Sequence, residues 1–275
     1  MKKIGFKSLT RAVLPLAVLA GVSVEASSIK ITVENLSPDD GIWFTPVFLG
    51  FHDGSFDTFD AGSAASGSIE ALAEGGDTSG LMGDIGSVSG AIGHTLVQDT
   101  TAMGPPGVLF NPGSSNSYTF DLDSTDNRYF SFASMLLPSN DAFFGNDDAM
   151  GYELFDINGD FNYGFEVNIY GSDIWDSGTE ENDGMGAPFS MIGGVSTDTV
   201  NGVVAQHAGL DNFIGTNLGN GNPLGSAFSA NTALVRITAE KVPDATPFIG
   251  AIGGLALLGF NVVARRKRFA EEAKA

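Results

Sequence analysis

The stretch IKITVENL, residues 29–36, alternates apolar and polar side chains, with Ile29, Ile31 and Val33 at every second position. A period of two puts successive side chains on opposite faces of a strand, so this pattern predicts a half-buried β-strand. Further strands are predicted at residues 43–54, 117–122, 128–138, 164–172 and 233–242. Pro46 lies inside the second of these and indicates an edge or a bulge.

The segments between these strands are short and rich in Gly, Asn, Asp and Ser, which is typical of turns. Residues 64–77 have a helical composition and end on a glycine pair, so they predict one short helix. Residues 75–116 are expected to be mainly loop with short strands. We therefore expect a mainly β fold, an antiparallel β-sandwich with one short helix.

Both ends of the chain have the composition of targeting segments. Residues 1–26 carry basic residues, then the apolar run AVLPLAVLAGVSV, then small residues, a pattern that predicts a secretory signal peptide. Residues 248–264 are uncharged, and four basic residues follow at once at 265–268, which predicts a C-terminal transmembrane helix with a basic cytoplasmic stop. The remaining residues, 27–241, are expected to form one domain.

The C-terminal end resembles the PEP-CTERM class of bacterial sorting tails. The match consists of VPDAT at residues 242–246, the apolar run and the Arg-rich stop, although VPDAT departs from the usual Pro-Glu-Pro motif. The resemblance implies that residues 242–275 hold the protein in a membrane until a sorting protease cleaves the tail. The protein is then expected to be exported and to stay anchored in the cell envelope, or to reach the cell surface or the extracellular space.

Between the predicted signal peptide and the apolar tail, residues 27–246 contain four basic and thirty acidic residues, a net charge of −26. Such a body repels nucleic acid and anionic lipid, so no nucleic-acid partner is expected. The chain has no cysteine, which excludes disulfides and thiolate metal sites. A hydrophobic core, a bound metal or both must therefore stabilise the exported domain.

The densest acidic segment is DIWDSGTEEND at residues 173–183, where no basic residue accompanies the carboxylates. Calcium binds six to eight oxygen ligands, so converging carboxylates indicate a possible calcium site. Asp176 and Glu180 flank Gly178, which lets the loop fold back, and Asp141 follows the Pro-Ser turn after the strand 128–138. Trp175 would cover the site from its apolar side. The alternative is a solvated acidic loop without a metal.

A second acidic loop, DINGDFNYGFEV at residues 156–167, matches only part of an EF-hand calcium loop. Asp156, Asn158 and Asp160 fit, but Phe161 stands where a glycine is required and Val167 where a glutamate is required. The Asn-Gly pair favours a turn instead.

The body also resembles a bacterial spondin-type domain, related to the amino-terminal spondin domain of animal matrix proteins. The resemblance is carried by ITVENLSP near the start and by three further stretches, at residues 52–81, 137–146 and 175–182. It implies a calcium-bearing β-sandwich, non-catalytic, that acts in adhesion or extracellular matrix contact with a polymer or protein that the sequence does not identify. Its calcium ligands would be Asp141, Asp176 and Glu180, the last being an aspartate in the animal pattern.

An alternative class is a secreted hydrolase that acts on envelope or matrix polysaccharide. His52 beside Asp53 and paired carboxylates such as Glu180 and Glu181 are compatible with acid–base chemistry. However, His52, His94 and His207 lie outside any Ser/His/Asp or metalloprotease motif, and GSVSG at residues 86–90 has Val88 where a nucleophilic serine belongs. These departures favour a non-enzymatic protein.

Overall fold

The computed structural model describes residues 26–102, 104–189, 195–218, 223–225 and 228–243. The predicted signal peptide, except Ala26, and the apolar part of the predicted tail lie outside these residues. Within the described ranges, no helix combines the length and the apolar character needed to cross a bilayer.

The described chain is mainly β. Its eleven strands are β1 (Ser27–Asn35), β2 (Trp43–Phe44), β3 (Val47–His52), β4 (Ile92–Leu96), β5 (Ser115–Leu122), β6 (Tyr129–Leu137), β7 (Ala142–Gly145), β8 (Glu166–Tyr170), β9 (Ile174–Asp176), β10 (Ala205–Gln206) and β11 (Ala233–Lys241). Two α-helices, α1 (Gly67–Gly75) and α2 (Ser79–Ile85), follow β3, and single 3-10 turns occur at Gly171–Asp173 and Asp211–Phe213.

The strands form two antiparallel sheets. The first sheet has the order β5-β1-β11-β8, and the second has the order β10-β9-β7-β6-β3-β4 with β2 paired to β6. The register of β1 against β11 pairs Ile31 with Ala239 and Val33 with Ile237, so apolar side chains lie opposite one another on the same face. The alternating apolar side chains therefore lie on the face of this sheet that is turned to the interior.

One hydrophobic cluster joins the inner faces of the two sheets. Ile31 and Ile237 of the first sheet belong to the same buried cluster as Leu49, Phe132 and Phe144 of the second. This is the arrangement of a β-sandwich, in which side chains from two facing sheets form the core. The predicted fold class is confirmed at the level of a mainly β, antiparallel, sandwich-like architecture.

The two helices cover the outer face of the second sheet. Phe48 and Phe143 of that sheet are buried with Ile69 and Leu72 of α1 and Leu81 of α2. The Ser66 hydroxyl accepts a hydrogen bond from the Ile69 N–H and caps the start of α1. The second sheet is thus buried on both faces.

The prediction of one short helix was wrong in number. Helix α1 begins and ends within the predicted 64–77 segment, but α2 lies in the region expected to be loop with short strands, of which β4 is one. Helix α2 contains two glycines, Gly80 and Gly83, which mask its helical character in the sequence. Its burial of Leu81 and Ile85 against the sheet compensates for that weak propensity.

Pro46 separates β2 from β3 rather than marking a sheet edge. Strand β3 lies between β6 and β4 and is therefore internal to its sheet. Thr45, next to the proline, is buried and accepts a hydrogen bond from the Met135 N–H through its hydroxyl. The predicted apolar run 43–54 is thus two strands with a break at Thr45 and Pro46.

We expect Leu72→Ala to lower the free energy of unfolding by about 2–5 kcal/mol, because Leu72 is fully buried under α1 and its truncation leaves a cavity. Urea unfolding followed by circular dichroism measures the change. Glu70→Ala on the exposed side of α1 is the matched control and should alter the value by about 0.5 kcal/mol or less. Equal losses in both variants would contradict packing of α1 on the sheet.

Candidate metal centre

Strand pairing brings three metal-ligating side chains to one end of the second sheet. Asp141 directly precedes β7 and Asp176 ends β9, and these strands pair with Ala142 opposite Asp176. His207 directly follows β10, which pairs with the other side of β9, and its N–H donates to the Ile174 carbonyl at 2.8 Å. Residues that are far apart in sequence therefore meet across adjacent strands.

Asp141, Asp176 and His207 each offer one ligand atom, and these atoms all lie within 4.8 Å of one another. Asp141 is fully buried, His207 is 6% exposed, and Asp176 is half-buried at the rim. The structure thus brings together two of the three predicted ligands, Asp141 and Asp176, and adds a histidine that sequence reasoning missed. No local motif marks His207, because its position depends on the pairing of β10 with β9.

The Asp141 carboxylate is only partly satisfied by hydrogen bonds. Its Oδ2 accepts from the Ser177 hydroxyl at 3.2 Å and from the Glu180 N–H at 3.1 Å. Its Oδ1 is buried without a partner, as are Asn140 Oδ1 and Glu180 Oε2. Among the described residues only four buried side-chain atoms lack a hydrogen-bond partner, and three of them belong to these neighbouring residues. Buried unpaired acceptors are costly, so their concentration here indicates room for a positively charged ligand.

The pKa of Asp141 reflects its burial and the charge of Asp176 beside it. Burial, followed by the negative charge of Asp176, raises the pKa of Asp141 to about 7. Like charges this close resist ionising together, so one carboxyl of the pair favours its protonated form. A bound cation would take the place of that proton.

His207 holds Asp176 in position through Asn182. The His207 Nδ1 accepts from the Gly209 N–H at 3.0 Å, so the ring proton lies on Nε2 and is donated to Asn182 Oδ1 at 2.9 Å. The Asn182 amide in turn donates to Asp176 Oδ2. Burial lowers the pKa of His207, although the negative charge of Asp176 opposes this shift. The lowered pKa favours the neutral ring in this chain of hydrogen bonds.

Glu180 lies next to this group but its carboxylate is not among the three atoms within 4.8 Å. Its N–H binds Asp141, whereas its side chain is hydrogen-bonded to Ser196. Burial raises the pKa of Glu180, and the negative charges of Glu74 and Asp198 act in the same direction. The assignment of Glu180 as a direct metal ligand stays a prediction.

The backbone around Gly178 explains how the loop returns toward Asp141. Gly178 has φ +70°, a conformation that favours glycine, and its N–H donates to Asp176 Oδ1 at 2.7 Å. The backbones of Gly178 and Gly202 are in contact, so that a Cβ added at Gly202 would lie 1.8 Å from the Gly178 carbonyl oxygen. The fold-back expected from Gly178 is present, and this contact fixes the Asp176 loop against the segment that leads to His207.

Trp175 does not cover the acidic pair. It precedes Asp176 on β9 and therefore points to the opposite face of the strand. There its ring packs edge-on against Phe59 at a centroid distance of 5.2 Å, and its indole N–H donates to the Gly145 carbonyl. The expectation that Trp175 shields the site was wrong because of this alternation.

The loop at residues 156–167 is a tight turn, as the Asn-Gly pair predicts. Asp156 Oδ1 accepts from the N–H groups of Asn158 and Asp160, and Phe155 pairs with Phe161 across the turn. The carboxylate of Asp156 is thus used to form the turn.

One protein-family model matches this chain. The model of the Spondin_N family matches residues 36–202, which is more than half of the chain and covers strands β2 to β9. The chain belongs to the Spondin_N family. None of the curated proteins compared with the chain matches it significantly.

Spondin_N domains are typically extracellular, and the family is a non-enzymatic domain type. Membership is consistent with an extracellular matrix or adhesion domain. The matched range includes Asp141, Asp176 and Glu180 but ends before His207 and β11. The histidine of the candidate site in this Spondin_N protein thus lies outside the matched segment.

The contribution of Asp141 to the stability of the metal-free protein should fall as the pH rises from about 4 to about 7. In this window folded Asp141 keeps the proton that the unfolded chain has already released at its ordinary pKa of 3.8. The slope contributed by this group is at most about 1.4 kcal/mol per pH unit. Chemical unfolding in chelator at several pH values in this range measures the slope, as the difference in unfolding free energy between wild type and Asp141→Asn. The opposing contribution of His207 is present in both proteins and cancels in this difference.

The control for this experiment is Asp126→Asn, which changes an exposed carboxylate. Its unfolding free energy should follow that of the wild type at every pH. Parallel curves for wild type and Asp141→Asn would show that Asp141 does not hold a proton in the folded protein.

Proposed function

We propose that this protein is an exported, non-catalytic calcium-binding β-sandwich that acts in adhesion or extracellular matrix contact. The observation that carries the calcium assignment is the group of unpartnered, buried oxygen atoms of Asn140, Asp141 and Glu180 beside Asp176. Membership of the Spondin_N family supports the adhesion or matrix role.

The available donors suit a hard cation. Asp141, Asp176 and Glu180 would supply carboxylate oxygens, and the amide oxygen of Asn140 is buried beside them. Calcium prefers such oxygen ligands and tolerates irregular geometry, with water completing its coordination. Both ring nitrogens of His207 already make hydrogen bonds, so the histidine acts here to position Asp176 through Asn182.

A transition metal is the second candidate for the ion, since a ring nitrogen of His207 lies within 4.8 Å of ligand atoms of both aspartates. Imidazole is a good ligand for zinc, copper or iron and a poor one for calcium. To ligate a metal, His207 would have to give up its hydrogen bond to Asn182 or to Gly209. That requirement favours calcium.

A secreted hydrolase remains the alternative outside the binding class. A glycosidase needs two carboxyl groups that flank the scissile bond of a bound substrate. Asp141 is fully buried, which leaves no access for a polysaccharide. The absence of substrate turnover in the presence of calcium would support the binding role.

We further propose that residues 1–26 direct export and that residues 242–275 form a bacterial PEP-CTERM-like tail. In this scheme the helix at 248–264 holds the protein in the envelope membrane until a sorting protease acts. The support is the uncharged run followed by four consecutive basic residues. The binding partner of the exposed domain is an extracellular polymer or protein.

Calcium should raise the thermal stability of the protein, and chelator should reverse the effect. An ion that binds only the folded state adds about 2.7 kcal/mol at a hundredfold excess over Kd. We expect Asp141→Asn, Asp176→Asn and Glu180→Gln each to lose most of this gain, and double variants to lose little more, because residues that share one ion are not additive. Differential scanning calorimetry and calcium titration calorimetry measure both effects.

The controls for the calcium experiment separate site binding from general screening of a highly acidic surface. Asp156→Asn and Asp160→Asn remove charge from the tight turn and should keep the calcium gain. Magnesium at equal concentration should stabilise less. Equal stabilisation by both ions, or undiminished calcium binding in Asp176→Asn, would contradict the proposed site. A larger gain in stability with zinc than with calcium would favour a transition metal as the bound ion.

Cells that make a chain truncated after Val242 should release it into the medium, because the apolar run and its basic stop are gone. These cells should also lose calcium-dependent attachment to surfaces or to one another. Cells with full-length Asp176→Asn should keep the protein on the envelope but lose the attachment. Immunoblots of envelope and medium, together with attachment counts in calcium and in chelator, measure these outcomes. Envelope retention of the truncated chain would contradict the anchor, and calcium-independent attachment would contradict the adhesion mechanism.

A further inference from the structure

A cavity of about 480 Å³ opens beside the end of β7, on the face of β9 opposite to the acidic pair. It is formed by the loop that follows β7, the turn before β9 and the β9–β10 pair. Its volume lies within the range of about 300–1,000 Å³ that is typical of ligand sites. Trp175 and Gln206, which are paired across β9 and β10, form one side of it.

Two aromatic side chains line this cavity, Trp175 and Tyr152, and both are half-buried. The indole N–H of Trp175 is already donated to the Gly145 carbonyl at 3.3 Å, and the ring packs against Phe59. The part of Trp175 that remains for a ligand is therefore its π surface. An ordered ring of this kind binds flat or cationic groups without losing further side-chain freedom.

The polar lining consists mainly of hydrogen-bond acceptors. Asp147, Asp148 and Asp173 line the cavity, and each is fixed by a backbone N–H: those of Ala61, Met150 and Tyr170, respectively. The amide N–H of Gln206 is donated to the Ser172 carbonyl. None of the lining residues is Lys, Arg or His. A ligand that supplies donors and positive charge would match this surface.

Two titratable groups at the cavity respond to the negative charge around it. Burial, followed by the charges of Asp60 and Asp147, raises the pKa of Asp57 on its flank. Burial and the charge of Asp173 likewise raise the pKa of Tyr152.

Three of the basic residues of the domain are engaged elsewhere. Lys30, Arg128 and Arg236 each form an ion pair with a glutamate on another part of the surface. The fourth, Lys241, ends β11 in the first sheet, so among the described residues no basic side chain lines the cavity, and we expect a cation there to come from another molecule.

We propose that this cavity is a docking site for the guanidinium group of an arginine presented by a basic partner protein. A guanidinium has five N–H donors and no acceptor, is planar and always charged, and stacks on aromatic rings. It therefore complements the three carboxylates and the Trp175 ring together. A neutral sugar would leave the carboxylate charges uncompensated. The proposal is independent of the calcium proposal, because none of the lining residues is a proposed calcium ligand.

The experiment uses the purified full chain and a fluorescein-labelled pentapeptide that contains two arginines, with fluorescence anisotropy as the readout. Matched peptides replace arginine by citrulline, which keeps the shape and removes the charge, or by lysine. We expect the citrulline peptide to bind at least tenfold more weakly and the lysine peptide several-fold more weakly. Trp175→Leu should weaken binding of the arginine peptide about fivefold while it keeps an apolar side chain against Phe59.

The charge contribution is tested with Asp147→Asn/Asp148→Asn, in which the oxygens that accept from Ala61 and Met150 are retained. This double variant should weaken binding at least tenfold. Asp99→Asn/Asp121→Asn removes the same charge from positions outside the cavity and should change binding less than threefold. Unfolding curves of both variants verify that each is folded.

Equal weakening by the two double variants would overturn the proposal, because general attraction to an acidic surface would then explain the binding. Equal affinity for the citrulline or the lysine peptide would overturn the guanidinium assignment. Displacement of the arginine peptide by a neutral oligosaccharide at low millimolar concentration would show that the cavity is a glycan site instead.

Discussion

The hydrophobic contact between the inner faces of the two sheets holds this domain together, because the chain has no cysteine with which to cross-link them. This contact has to outweigh the mutual repulsion of an acidic body that carries a net charge of −26 between residues 27 and 246. The aromatic side chains contribute much of the buried area: Phe44, Phe51, Phe130, Phe132 and Phe144 all belong to the shared cluster. With the core concentrated between the sheets, the strand ends can carry groups that do not stabilise the fold by themselves.

The Asp141 and Asp176 pair is such a group. Burying a carboxylate costs free energy unless it is hydrogen-bonded, paired or protonated, and in this structure the cost is reduced in two ways. The Ser177 hydroxyl and the Glu180 N–H donate to Asp141, and the raised pKa of Asp141 favours its neutral form. His207 contributes from a third segment by orienting Asn182 toward Asp176. The group is thus a preformed set of oxygen atoms whose charge is unbalanced, and this is the physical basis for proposing a cation there.

The sequence predicted those parts of the fold whose signal is local. Strands β1, β5 and β11 are long enough to show alternation, β6 is a long and largely apolar run, and α1 ends at Gly75 beside a left-handed Gly76. Strands β7, β9 and β10 contain four, three and two residues, too few to show a period, and they form because neighbouring strands pair with them. For the candidate site, Asp141 and Asp176 stood out as carboxylates at predicted strand ends. His207 could not be found, since only the pairing of β10 with β9 brings it to Asp176.

The contact between the Gly178 and Gly202 backbones has a consequence for how this site would look in a random mutagenesis screen. Neither glycine has a side chain that could touch an ion, yet any larger residue at either position would push apart the Asp176 loop and the segment leading to His207. Loss-of-binding variants would therefore accumulate at two positions that make no chemical contribution. Selection on the site would then act on close backbone packing as strictly as on the carboxylates, and related sequences would be expected to keep glycine at both positions.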